Sequence, residues 1–228
     1  MITPYDWQEG MGHRAEYVES RLKAGTPVLV ISIEAGILAF TVRRHAHKIY
    51  EIYDRLLLGA IGQQSDVEQI RVSAIDFSHQ EGFQRSEDDV TIQRVVNALS
   101  QPLKRAFADF NTSPFVFRGL FAEVGDTPKD DSIFLLDYDG DFSMLSRRGY
   151  LAGDQDTSDR LKASLGELEL EKLDPDTAIK DLKKIWSEAV SPDDKRNFDA
   201  LTENLCPEIA LLARQPNGEE RFLLLEPR

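Results

Sequence analysis

The sequence predicts an α+β protein built as a four-layer αββα sandwich, with two mainly antiparallel sheets facing each other and helix pairs outside. Three observations predict it. Residues 25–66, GTPVLVISIEAGILAFTVRRHAHKIYEIYDRLLLGAIGQQSD, read as four consecutive strands feeding a helix. Groups of strands then alternate with pairs of helices, so each sheet needs cover on both faces. The regular βαβα alternation of a doubly wound parallel sheet is absent, which counts against nucleotide folds of that kind.

Taken in order, Gly12 to Ala24 carries Ala15, Val18 and Leu22 at spacings of three and four, a short amphipathic helix ended by Gly25. Pro27–Ile33 and Ile37–Val42 are dense in Val, Ile and Leu around the turn Glu34-Ala35-Gly36, which suits a buried strand pair. Lys48–Tyr53 and Leu56–Ile61 repeat the pattern around Asp54-Arg55, and Gly62 punctuates its end. From Ser65 onward Val67, Ile70, Ala74 and Phe77 recur at helical spacing. Ser86 offers an N-cap hydroxyl with Asp89 three residues on. Ile92, Val95, Leu99, Leu103, Ala106 and Phe110 then form the stripe of a second helix, which Pro102 should kink or divide.

After Pro114 the pattern returns to strands at Phe115–Val124, Ile133–Tyr138 and Phe142–Arg147, the last two joined by a hairpin at Asp139-Gly140. A polar helix around Ser158–Leu168 precedes a clearer one over Pro175–Ala189, where Asp174 caps and Pro175 takes the first turn. Ile209–Arg214 and Arg221–Leu225 close the chain as a hairpin around Pro216-Asn217-Gly218.

A chain of 228 residues fits one large domain, and no stretch has the composition of a linker. With 40 acidic against 27 basic residues and a formal net charge of -13, it repels phosphate backbones, so nucleic acid is not an expected partner. Apolar runs fall short of the ~18 residues that span a bilayer, and the start lacks the basic and apolar regions of a signal peptide, so neither a membrane nor secretion is expected. The expected location is cytoplasmic. Cys206 is the only cysteine, which excludes an internal disulfide and suits a small buried residue near a strand.

Two clusters imitate metal sites. His45-Ala46-His47 lacks a third ligand nearby, and Asp137-Tyr138-Asp139-Gly140-Asp141 opens like a calcium loop but has its Gly too early and Arg148 in the place of the bidentate Glu. A tight Asp-Gly hairpin accounts for the second. Thr26 is the sharper question, because a threonine after a glycine at the head of a sheet becomes a nucleophile if cleavage frees its amine. That chemistry also asks for a nearby lysine and orienting carboxylates.

The hairpin PVLVISIEAGILAFTV, the segment Lys48 to Asp54, the run Gly59-Ala60-Ile61-Gly62 leading to Asp66 and Arg71, and Leu136-Asp137-Tyr138-Asp139-Gly140 together resemble the proteasome subunit family. The resemblance implies the four-layer Ntn-hydrolase fold. It also implies a choice between catalytic β-type subunits, which carry a processed N-terminal threonine, and noncatalytic α-type subunits, which form the outer rings and the gate. Gly25-Thr26 stands where a β propeptide is cut, and Lys48 aligns near the family's active-site lysine. The β pattern has an acidic residue at the end of the second strand, however, and Thr41, Val42 and Arg43 hold that place here.

The N-terminus resembles that of a bacterial α-type subunit, with Pro4-Tyr5-Asp6 like the Tyr-Asp element of a gating tail and Ala15-Glu16-Tyr17 like the Val-Glu-Tyr ahead of the ring helix. The Phe-Ser-Pro and Gly-Arg signals of the archaeal and eukaryotic pattern are missing. The resemblance therefore implies residues 1–11 as gating tail, 12–24 as ring helix carrying Glu16 and Tyr17, and Lys48 as the lysine lining the pocket between neighbouring subunits that receives the C-terminal carboxylate of an activating ATPase. Expected partners are copies of itself in a seven-membered ring, β subunits, an AAA+ ATPase regulatory ring and protein substrates. No metal or organic cofactor is expected. The alternatives are a self-compartmentalising threonine peptidase with Thr26 as nucleophile after cleavage at Gly25, and a scaffold that assembles with no β partner.

Overall fold

A computed structural model describes residues 4–192, 198–215, 218 and 220–226, with the side chains of Pro4 and Tyr5 outside the described part. The opening helix α1 (Pro4–Leu22) leads into strands β1 (Val28–Ile33), β2 (Gly36–Arg43), β3 (Ile49–Tyr53) and β4 (Leu56–Gly62). Helices α2 (Gln64–Gln84) and α3 (Ile92–Ala108) follow, then β5 (Phe117–Glu123), β6 (Ser132–Asp137), β7 (Phe142–Leu145) and β8 (Arg148–Leu151). The chain continues through α4 (Gln155–Gly166), α5 (Pro175–Val190) and the single turn α6 (Phe198–Leu201) to β9 (Cys206–Ala213) and β10 (Phe222–Leu225).

Two five-stranded sheets result, in the orders β10-β9-β2-β1-β8 and β3-β4-β5-β6-β7. Every neighbouring pair is antiparallel. Strand alternation divides the side chains between two faces of each sheet. On β1, Val28 and Val30 enter the core between the sheets, while Leu29, Ile31 and Ile33 turn outward to α4 and α5. On β4, Leu57 and Ile61 point to the inter-sheet core, and Leu56, Leu58 and Ala60 point to α2 and α3. Both faces of each central strand are thus covered, which is why β1 reads as a continuous apolar run and not as an alternating one. These are the four layers that the sequence predicts.

The structure corrects the expected elements in five places. The first helix starts at Pro4 and runs unbroken to Leu22, well before the expected Gly12. A strand absent from the expected order, β8, follows β7 after only Ser146 and Arg147, and the chain changes sheets there, with Arg147 at φ 51. Two four-residue strands separated by two residues look like one run in sequence. Of the kink or division expected at Pro102, division is overturned: helix α3 passes through it unbroken, because that proline lies on the exposed side where water can satisfy the carbonyl it frees. Phe110 lies beyond the helix end and is 41% exposed. Cys206 is exposed, not buried, at the start of β9.

The expected cap at Asp174 holds. Asp174 accepts a hydrogen bond from the Thr177 amide (3.1 Å) to cap α5; Asp154, which the sequence reading did not single out, does the same for α4 through Thr157 (2.9 Å), so that this helix starts at Gln155 and not near Ser158. Ser86 does not cap α3: it precedes a short 3-10 turn at Glu87–Asp89, its hydroxyl donates to the Asp89 carboxylate (2.9 Å) and not to a backbone carbonyl, and Thr91 stands at the start of α3. In the closing hairpin Pro216 and Asn217 lie outside the described residues; Gly218 has a positive φ of 104°.

Candidate functional site

At one end of the inter-sheet core the helix α1 meets the first residues of β1. Val18 and Leu22 are 0% and 1% exposed and belong to the same cluster as Val28, Leu57 and Ile61. Gly25 ends the turn by donating its N–H to the Leu22 carbonyl (2.8 Å). Thr26 therefore sits just ahead of β1 and not inside it, joined by an ordinary peptide bond to a helix that plugs the core.

Around Thr26 lies a cavity of about 370 Å³ between the end of α1, the β2–β3 connection, the end of β4 and the start of α2. Its wall includes Arg21, Arg44, His45, His47 and Lys48 and, among the described residues, no Asp or Glu. Leu22, Ala60, Ile61 and Val67 supply an apolar side. In a chain of formal charge -13 such a lining is a local reversal of sign, and its physical consequence is affinity for an anion with an apolar neighbour. Gly62 closes the β4 end at φ 146, where a Cβ would lie 2.1 Å from the Val116 carbonyl oxygen, so only glycine permits this turn.

Lys48 is the central group. Its ammonium donates to the Thr26 carbonyl (2.8 Å) and to the Thr26 hydroxyl (2.5 Å). Burial lowers its pKa from 10.5 to about 8, and the Glu208 charge opposes that fall. At neutral pH the group remains mostly cationic. The Thr26 hydroxyl itself donates to the Val42 carbonyl. A main-chain oxygen thus stands where the nucleophilic chemistry would want a carboxylate, at the end of β2 occupied by Thr41, Val42 and Arg43. Thr41 is turned away, donating to the Pro27 carbonyl (2.6 Å).

Glu208 is a residue that sequence reasoning missed. On β9 it pairs in register with Thr41, and its side chain is only 3% exposed. It accepts from the Lys48 backbone N–H (3.0 Å), meets His47 Nδ1 at 2.7 Å and lies 3.7 Å from Arg43 Nε. The available signal was a lone carboxylate in the otherwise apolar strand CPEIALLA.

The other predicted positions are placed as follows. Glu16 and Tyr17 are exposed on α1, with Tyr17 47% accessible. Pro4, Tyr5 and Asp6 occupy the first turn of α1, and Asp6 is exposed. Residues 1–3 lie outside the described part. The helix start is fixed by contacts that the sequence did not flag: Trp7 meets Phe110 edge-on at 5.0 Å, and the Arg14 guanidinium lies over Phe110 and donates to the carbonyls of Ala106 (3.0 Å) and Thr112 (2.9 Å). Of the candidate metal groups, His47 is engaged with Glu208, while Asp137 pairs with Arg118 and the Asp139 side chain accepts from the Asp141 N–H (2.9 Å). Among the described residues no cluster of three His, Cys, Asp or Glu is arranged to hold a metal ion. None of the described helices is long and apolar enough to cross a membrane.

Comparison with known proteins gives this geometry a setting. A family model described as Proteasome subunit matches residues 27–201. The chain is 33% identical over 159 residues to a proteasome subunit alpha of Thermobifida fusca, covering 69% of this chain and 62% of that protein. It is 33% identical over 172 residues to one of Jonesia denitrificans, covering 74% and 72%. A third, from Xylanimonas cellulosilytica, is 35% identical over 144 residues, covering 62% and 58%. The match thus spans less than two thirds of the Thermobifida and Xylanimonas relatives.

Proposed function

The chain belongs to the proteasome subunit family, and we propose that it is an α-type, noncatalytic subunit, one domain that forms a seven-membered ring on a β-type ring in the cytoplasm. One observation carries the noncatalytic assignment. Helix α1 buries Val18 and Leu22 in the core between the sheets, so the segment ahead of Thr26 is part of the fold and not a leader to be discarded. With that segment retained, the Thr26 nitrogen is an amide and cannot act as the base of an N-terminal threonine nucleophile. Hydrolysis then falls to the β partner.

In this reading the basic cavity around Lys48 receives the C-terminal carboxylate of an AAA+ ATPase ring. A charge-assisted hydrogen bond to a carboxylate contributes roughly 1.5–3 kcal/mol, and seven such pockets act with the avidity of linked sites. The exposed residues Glu16 and Tyr17 lie on the face of α1 available to a neighbouring subunit. Residues 1–11, including Pro4, Tyr5 and Asp6, obstruct the axial pore and limit which protein substrates pass.

The test is co-expression with a β partner, electron microscopy and intact-mass measurement. Four stacked rings containing full-length chain are expected, and Lys48→Ala should leave them assembled while abolishing ATPase-stimulated protein degradation. Recovery of a mature chain beginning at Thr26, active on peptides alone, refutes the assignment.

A further inference from the structure

The cavity needs its rim fixed as well as charged, and the rim is the β2–β3 connection, residues 44–48, which crosses from one sheet to the other. Strand β4 ties the last residue of that connection, the Ala60 N–H donating to the Lys48 carbonyl (2.8 Å). A buried carboxylate holds it from the other sheet. Glu208 is planted on β9, whose register against β2 is continuous from Gly36↔Ala213 to Arg43↔Cys206, so its position is set by a full strand ladder. From there it takes the Lys48 N–H at 3.0 Å and His47 Nδ1 at 2.7 Å, with Arg43 Nε at 3.7 Å. A carboxylate 3% exposed is costly unless paired, and every partner it has here belongs to the end of β2 or to the connection.

We propose that Glu208 is the positioning residue of this pocket: it clamps the β2–β3 connection to the sheet and holds the Lys48 ammonium, through its charge and through the Lys48 backbone, in place for an anionic ligand. This rests on the carboxylate-docking reading of the cavity. Its electrostatic part is specific. Arg21 from α1, Arg44 and His45 line the same space. Tyr50 on β3 donates to the His47 carbonyl, and α2 contributes Gln64 and Val67, neither titratable. With Arg43 at the end of β2, these groups are basic or neutral, and among the described residues Glu208 is the carboxylate whose negative charge acts on Lys48. Burial has already brought Lys48 down to about 8, close enough to neutrality for the loss of that charge to matter.

Glu208→Gln keeps the shape and an acceptor for the Lys48 N–H while removing the charge. The full-length chain, its lysines marked by reductive ¹³C-methylation and the Lys48 signal identified with Lys48→Ala, is titrated by NMR. Alongside, binding of acetyl-Leu-Ala-Leu with a free C-terminus is compared with its amide between pH 6.5 and 9. The Lys48 midpoint should fall by about one unit in Glu208→Gln, so that tenfold less ammonium remains on the alkaline side, and the binding edge of the free-acid peptide should fall with it. His47→Asn should preserve that response to residue 208. An unchanged Lys48 midpoint in Glu208→Gln overturns the proposal, as does a response that disappears in His47→Asn, since the coupling then runs through the imidazole. If neither variant nor wild type distinguishes acid from amide at any pH, carboxylate docking itself fails, while the Lys48 titration still decides the role of Glu208.

Discussion

Removing the side chains that α1 inserts between the sheets tests whether the N-terminal segment belongs to the mature fold. Leu22 is 1% exposed and Val18 0%. Leu→Ala at a buried site costs ~2–5 kcal/mol, and the two methyl groups lost in Val18→Ala remove about 0.8 kcal/mol each before the cavity they leave is counted. The double variant should therefore lose roughly 5 kcal/mol, a third or more of a typical stability of ~5–15 kcal/mol. Leu22→Ala alone, at about 3 kcal/mol, should lower Tm by ~6–12 °C for a chain of this size. Urea and thermal unfolding followed by circular dichroism read both, with Gln8→Ala on the exposed face as a control expected to stay within ~0.5 kcal/mol. The reasoning is refuted if the double variant unfolds at the wild-type midpoint. It is equally refuted if a chain starting at Thr26 is as stable as the whole, for then α1 would be the disposable leader of a peptidase.

Arg214 joins both sheets by bonding the buried Asp131 carboxylate at 2.7 and 2.9 Å and the carbonyls of Ile33 and Gly125. Arg214→Met strands that charge and should cost ~3–5 kcal/mol in urea unfolding, with part recovered by adding Asp131→Asn; a loss under about 1 kcal/mol would show the pair to be dispensable. Lys48 titrates near 8 when folded and at 10.5 when unfolded, so between those values the unfolded chain binds more protons and stability rises with pH. Wild type should gain on the order of 2 kcal/mol relative to Lys48→Met from pH 8 to 10.5, and parallel stability curves for the two would disprove the burial of the ammonium.

Local chemistry made much of the layout readable. Asp174-Pro175 declares a helix start through a cap and a fixed φ, and the apolar runs of β1 and β2 declare strands covered on both faces. The stripe Val67, Ile70, Ala74 gave α2 its packed face. Thr26 could be named from its place after a glycine at the head of the sheet and Lys48 only through the family resemblance, and the structure brings them within 2.5 Å. Other features lacked a local signal. The first turns of α1 are polar and are tied down by Trp7 and Arg14 reaching Phe110 and Thr112, about a hundred positions away. The β7–β8 change of sheet spans only Ser146 and Arg147, too short for any period to register.

By itself, then, the sequence determined the layers and the order of their elements apart from β8, because side-chain periodicity and capping act within a few residues and survive in the linear text. Only the tertiary structure decided which charges meet. Glu208 lies 160 residues from Lys48 in the chain, yet the β2–β9 ladder sets its carboxylate under the β2–β3 connection. A buried charge is defined by the partners that make its burial tolerable, and those partners are assembled only when the two sheets close.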